Sequence, residues 1–188
     1  MGCRPSSDRG LAILPELETP RLTLRRLALD DAAFVTRLLN EPSFLANIGD
    51  RGVRNIGDAH RYLQSGPFAM YERFGFGLWH AARNADGASI GMCGLLKRDN
   101  LPDVDLGYAY LPEYWGHGLA FEAASATLQH AARKFGLRRV IAVVSPENTA
   151  SIRVLEKVGM RFERMYAMNP AEPEVRLYGR SLEEFVAA

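Results

Sequence analysis

The chain has 188 residues, 47% of them hydrophobic, which suits one domain with a substantial core, and its 23 Lys and Arg against 22 Asp and Glu argue against broad electrostatic binding to nucleic acid. No apolar run approaches the ~20 residues that cross a bilayer, and the N-terminus lacks the apolar centre of a signal peptide, so no membrane partner is expected. Two cysteines, Cys3 and Cys93, make no disulfide framework and fit a reducing cytoplasm, and the four histidines show no metal-ligand spacing, so no metal is expected.

Residues 1–13 are rich in Gly, Pro, Ser and charge and read as a flexible tail ahead of a domain over 14–188. Met1-Gly2-Cys3-Arg4-Pro5-Ser6 matches the short myristoylation pattern, and the plainer reading is simply a tail. Leu22, Leu24 and Leu27 read as a first strand. Asp30 and Asp31 open a helix through Phe34, Val35, Leu38 and Leu39, which Pro42 stops. A second helix from near Asp58 to Arg73 is bent or broken around Gly66-Pro67.

Three strand-like runs follow, Phe76 to Ala82, Ser89 to Leu96 and Val104 to Leu111, separated by polar turns as in an antiparallel meander. Then Ala120, Ala124, Leu128, Ala131 and Phe135 recur at helical spacing, and Gly136 ends that long helix. Val140 to Val144 is a continuous apolar run, as in a strand buried on both faces. Val104 to Val144 therefore reads as strand, helix and parallel strand. A shorter helix turns Ile152, Leu155 and Val158 inward and ends at Gly159. Strands near Arg161 to Met168 and Val175 to Ser181 close an α/β domain with a mixed sheet.

The segment Leu111-Pro112-Glu113-Tyr114-Trp115-Gly116-His117-Gly118-Leu119-Ala120 joins a strand to the long helix. The first N–H groups of a helix lack internal partners, and Gly116 and Gly118 remove side chains that would keep an anion away. A diphosphate fits such a loop, with His117 as a further donor. A tight turn that needs glycine only for its dihedrals fits it equally. Phe121 stands where a dinucleotide fold requires a third small residue, and no Gly-Lys-Ser/Thr follows, so neither of those phosphate loops is present.

Trp115-Gly116-His117-Gly118-Leu119-Ala120 resembles the Q/R-x-x-G-x-G/A coenzyme A loop of the GNAT superfamily of N-acetyltransferases, with Trp115 in place of Gln/Arg. The Pro-Glu-Tyr-Trp-Gly-x-Gly-x-Ala form is similar to the branch that acetylates the N-termini of ribosomal proteins. Glu18 to Arg25, Asp105 to Tyr108, Ser145 to Ser151, Leu155 to Phe162 and Val175 to Tyr178 are similar to further segments of that branch, in the same order. The resemblance spans about residues 14 to 184.

It implies a mostly antiparallel mixed sheet flanked by helices, whose parallel fourth and fifth strands splay apart to admit the pantetheine arm. It also implies acetyl-coenzyme A as co-substrate, an amine acceptor, direct attack in a ternary complex, and pairing of two copies through sheet edges or helices. Tyr110, Leu111 and the loop Trp115, Gly116, His117, Gly118, Leu119 and Ala120 would hold coenzyme A, with Asn148 and Ser151.

Asp105 stands where some members carry a catalytic glutamate, and is either the base or a surface aspartate. Counting from Asn148, Leu155 occupies the position where many members supply a tyrosine to the departing thiolate. Ser151, one turn earlier, either donates to that thiolate or only binds coenzyme A. Asn148 is both a helix N-cap and a contact near the reaction centre. Phe44, Ile48, Trp79 and Tyr166 are candidates for the acceptor wall, with the polar loop Asn169 to Glu174 near its entrance. Cys93 reads as a core thiol. The competing readings are an acyl-coenzyme A-binding module without catalysis and a nucleotide-dependent oxidoreductase.

Overall fold

A computed structural model describes residues 14–186. The expected tail over 1–13, its acylation pattern and Cys3 lie outside the described residues.

One eight-stranded sheet runs through the molecule in the order β1-β2-β3-β4-β5-β6-β8-β7. The strands are β1 (Pro15–Glu18), β2 (Leu22–Arg26), β3 (Leu78–Arg83), β4 (Ser89–Leu96), β5 (Asp105–Tyr110), β6 (Arg139–Val144), β7 (Arg161–Tyr166) and β8 (Val175–Ser181). The pairing is antiparallel except between β5 and β6. β1 is an addition to the sequence reading. Its four residues carry no apolar run, and a strand that opens on proline belongs at a sheet edge. The parallel pair expected as fourth and fifth is therefore fifth and sixth.

The helices are α1 (Ala32–Leu39), α2 (Pro42–Asn47), α3 (Ile56–Leu63), α4 (Ala69–Phe74), α5 (Leu119–Phe135), α6 (Thr149–Lys157) and α7 (Glu183–Val186). Pro42 does not terminate α1, which ends at Leu39; it is the first residue of α2, where its fixed φ is favourable and its missing N–H costs nothing. The break at Gly66-Pro67 is a π-helical turn over Gln64–Phe68 that joins α3 to α4.

Helices cover the two faces of the sheet unequally. Against one face lie α5 and α6, packed on Trp79, Cys93, Leu106, Tyr110, Ala142 and Tyr178. Leu128, Ala131 and Ala124 of α5 are fully buried there, as the helical spacing requires, while Ala120 and Phe135 at its ends are partly exposed. The first helices lie against the other face, packed on Met92, Leu111 and Leu78. Strand alternation divides β5 between them: Leu106, Tyr108 and Tyr110 face α5 and α6, while Asp105, Gly107 and Ala109 face the opposite side.

The sheet opens between β5 and β6. Their pairing is confined to one register position, Asp105 with Ile141, with the Ile141 N–H donating to the Val104 carbonyl at 3.0 Å. Beyond that point β6 pairs along its length with β8, from Arg139–Ser181 to Val144–Arg176, and leaves one edge of β5 uncovered.

Candidate active site

The uncovered edge of β5 has defined donors and acceptors. The Leu111 N–H donates to the Ile90 carbonyl at 2.9 Å, on the β4 side. Antiparallel alternation then turns the main-chain groups of Tyr108 and Tyr110 to the β6 side, into the gap. The Leu111 carbonyl accepts from the Tyr114 N–H at 3.0 Å and its side chain is buried among the first helices. Leu111 is thereby corrected out of the pantetheine-pairing set, because both its main-chain groups are engaged elsewhere. Trp115, standing in the Gln/Arg place, donates its indole Nε1–H to the Tyr110 carbonyl at 2.8 Å. Tyr108 N–H and C=O and the Tyr110 N–H remain toward the gap.

The gap leads to the N-terminus of α5. A 3-10 turn over Pro112–Tyr114 brings the chain to Gly116 and Gly118, whose φ of 78° and 75° lie in the left-handed region that favours glycine. Gly118 is the N-cap of α5. Among the described residues, none of the N–H groups from Gly116 to Phe121 donates to a main-chain or side-chain acceptor. His117 and both glycines are exposed. The loop is held from outside: Arg21 donates Nη1–H to the His117 carbonyl at 2.8 Å and Nε–H to Glu122 at 2.6 Å. Glu122 also accepts from the Thr19 hydroxyl and the Arg21 N–H. An anchored row of unpartnered donors at the positive end of a 17-residue helix fits a diphosphate. Arg21 lies in the Glu18 to Arg25 segment and Glu122 in no motif, and neither was expected as a site residue from the sequence.

Asp105 is not the surface aspartate that its place at a strand start allows. Its side chain is 1% exposed, Oδ1 has no partner, and the nearest cation, Arg98 Nη2, is 3.4 Å from Oδ2. Burial pushes its carboxyl up to about 6, against the opposing pull of Arg98.

Across the strand, Asn148 caps α6, its Oδ1 accepting from the Ser151 N–H at 3.0 Å. The Ser151 hydroxyl lies 2.8 Å from the Tyr108 hydroxyl. Tyr108 was not among the expected site residues. Its position in an apolar strand conceals it until the alternation of β5 shows which face it takes. Leu155 is buried in the core.

The expected acceptor wall divides. Trp79 is 0% exposed and packs edge-on against His130 of α5, on the face opposite Asp105. It is corrected to a core residue, because its register partner Cys93 faces α5 as well. Cys93 itself is buried, its thiol pushed up to about 12 by desolvation. Phe44 is buried among the first helices, and neighbouring Ile48 is 39% exposed. Tyr166 donates its hydroxyl to the Asn100 carbonyl at 2.7 Å and packs against the small cluster of Leu101, Ile141 and Leu177. No helix among the described residues is long and apolar enough to cross a membrane.

The acetyltransferase (GNAT) domain family matches the chain over residues 21–161. The chain belongs to this family. YkkB of Bacillus subtilis, an uncharacterised protein, is 30% identical over 152 residues, which cover 79% of this chain and 87% of that one. Among solved structures, an acetyltransferase from Agrobacterium tumefaciens superimposes with a TM-score of 0.75 at 27% identity, covering 89% of this chain and 94% of that one. A ribosomal-protein-S5-alanine acetyltransferase from Vibrio fischeri shares the fold, with a TM-score of 0.75 at 17% identity over 90% of this chain and 97% of that one. This GNAT protein is an N-acetyltransferase, and its co-substrate is acetyl-coenzyme A. Its loop and its strand gap offer the donors that a diphosphate and a pantetheine arm require.

Proposed function

We propose that this acetyltransferase transfers the acetyl group directly to a primary amine, a protein N-terminus or a small-molecule amine, within a ternary complex. Asp105 is the base, and Ser151 meets the departing sulfur. The observation that carries this reading is Asp105: a buried carboxylate with an unpartnered oxygen, beside the point where β5 and β6 part. A carboxyl at about 6 is matched to proton transfer near neutral pH.

The loop Gly116 to Ala120 holds the diphosphate, and the main chain of Tyr108 and Tyr110 pairs with the pantetheine arm as an added strand does. The amine enters on the face of the sheet that carries Asp105, past Ile48, Phe44 and Tyr166. Its nitrogen attacks the thioester carbonyl, the carbonyl oxygen takes a main-chain N–H of β5, and Asp105 accepts the amine proton directly or through one water. The C–S bond then breaks with its electron pair on sulfur. Ser151 and Asn148 lie on the other side of β5. Three residues of strand separate Asp105 from Tyr108, roughly 10 Å. Base and thiolate partner thus approach the gap from opposite faces.

Steady-state thiol release from acetyl-coenzyme A, with free-amine peptides, polyamines and amino acids as acceptors, tests the reading. The expected kcat/KM rises with pH through about 6 as Asp105 loses its proton. Asp105→Asn lowers it by ~100-fold or more and removes that rise. Tight coenzyme A binding with no amine-dependent thiol release would instead make the protein an acyl-coenzyme A-binding module. A wild-type pH profile in Asp105→Asn would clear Asp105 of the role of base.

A further inference from the structure

The hydroxyl pair on the α5–α6 side of β5 has a consequence for the leaving group. Ser151 sits in the first turn of α6 with its N–H fixed by Asn148, which sets its backbone but not its hydroxyl rotor. A serine hydroxyl in a helix ordinarily turns back to a carbonyl of the preceding turn. Here its partner is the Tyr108 hydroxyl, at 2.8 Å. Tyr108 Oη is also 3.1 Å from the Ser151 carbonyl. The phenol has one proton and two neighbours, so two arrangements exist. If Tyr108 donates to the carbonyl, the serine donates to Tyr108 and has no proton left for a third group. If Tyr108 donates to Ser151 Oγ, the serine proton is free to point elsewhere. Burial pushes the Tyr108 phenol above its ordinary range, so it stays a donor at any working pH.

Leu155 gives α6 no phenol, and its side chain is committed to the core. Strand β5 brings one to the same helix terminus from the other direction. We propose that Tyr108 is a positioning residue for acetyl transfer: by donating to Ser151 Oγ it turns the serine proton toward the sulfur of departing coenzyme A. The inference rests on the reading of Ser151 given above. As the C–S bond breaks, the electron pair goes to sulfur and the thiolate accepts a hydrogen bond from Ser151. The serine oxygen accepts one from Tyr108 at the same moment, so the serine proton is more polarised than either hydroxyl alone would make it. Tyr108 keeps its proton throughout, and the thiolate takes its own from solvent after it leaves.

The test is a double-mutant cycle on kcat, with coenzyme A affinity measured separately by calorimetry. Tyr108→Phe keeps the ring and removes only the hydroxyl. It is expected to lower kcat about 10-fold, the effect of one hydrogen bond, with Kd for coenzyme A within about twofold. In a Ser151→Ala background it is expected to have no further effect. 3-Fluorotyrosine at position 108 retains the donor and is expected to restore kcat, whatever the stability of the phenylalanine variant. Unchanged kcat in Tyr108→Phe, beside a reduced kcat in Ser151→Ala, would overturn the positioning role and leave the Ser151 reading intact. Multiplying losses in the double variant, or no restoration by fluorotyrosine, would also overturn it. Wild-type kcat in Ser151→Ala would remove the Ser151 reading, and the proposal with it.

Discussion

Asp105, the base proposed above, shows what such a carboxylate demands of a fold. Its carboxyl is raised because burial penalises the charged form more than Arg98, 3.4 Å away, favours it. An acid whose folded pKa lies above its unfolded value contributes stability fully below the unfolded pKa and loses it as pH rises through the folded one. The window here runs from the ordinary 3.8 up to about 6. The stability of Asp105→Asn relative to the wild type should therefore rise across that window; His80, held down to about 4 by burial, acts in the opposite direction in both proteins and cancels from the difference. At pH 8 the variant should be the more stable, by up to about 3 kcal/mol at 1.36 kcal/mol per pKa unit, while it loses turnover. Thermal melts of both proteins from pH 4 to 8 check this. A variant less stable than wild type at pH 8 would mean that Arg98 outweighs the burial penalty. The signal for this lay in tertiary contacts: an aspartate after a turn reads alike whether β6 and the first helices bury it or water surrounds it.

At the scale of elements, the α5 N-terminus is where sequence and structure agree most closely. Two glycines two residues apart, a strand before and a helical repeat after, are a local pattern, and the left-handed φ of Gly116 and Gly118 is a local requirement. Gly118→Asp adds a negative charge beside the expected diphosphate and should weaken coenzyme A binding by ~100-fold or more. Gly118→Asn separates charge from backbone strain, because asparagine tolerates the left-handed region. It should retain affinity within ~10-fold. Calorimetry on both variants checks the pair, and equal affinities would assign the loop a purely structural role. Trp115 offers a second readout. Trp79 is sealed in the core, while Trp115 is 48% exposed and bonded to the Tyr110 carbonyl at the gap. Coenzyme A should therefore change tryptophan fluorescence, and Trp115→Phe should remove that change without removing the Trp79 emission.

At the scale of the whole molecule, the site exists because the sheet parts. Each half of the sheet is continuous, β1 to β5 and β6 to β7, and one register position joins them. A ligand lying along the gap and on α5 touches both halves and should stabilise the domain as a unit. Acetyl-coenzyme A at ~100 times its Kd should add ~2.7 kcal/mol and raise the melting temperature by roughly 5–11 °C. NAD, for which the loop lacks the third small residue, should add nothing. A shift with NAD as large as that with acetyl-coenzyme A would contradict the diphosphate specificity assigned to the loop.

The sequence by itself determined what depends on near neighbours. Helical spacing set α5, the unbroken apolar run set β6, turn chemistry set the meander from β3 to β5, and the ordered motifs set the family. It also determined that Asn148 caps α6, since a cap reaches only three residues ahead. Tertiary structure alone decided what depends on contacts across the chain. It added β1, an edge strand whose support is β2, and it buried Asp105. It sent Trp79 to the face away from Asp105, and it anchored His117 through Arg21, 96 residues earlier. It brought Tyr108 against Ser151, 43 residues apart. Strand parity and sheet pairing place such side chains, and both are properties of the assembled sheet rather than of any short stretch of sequence.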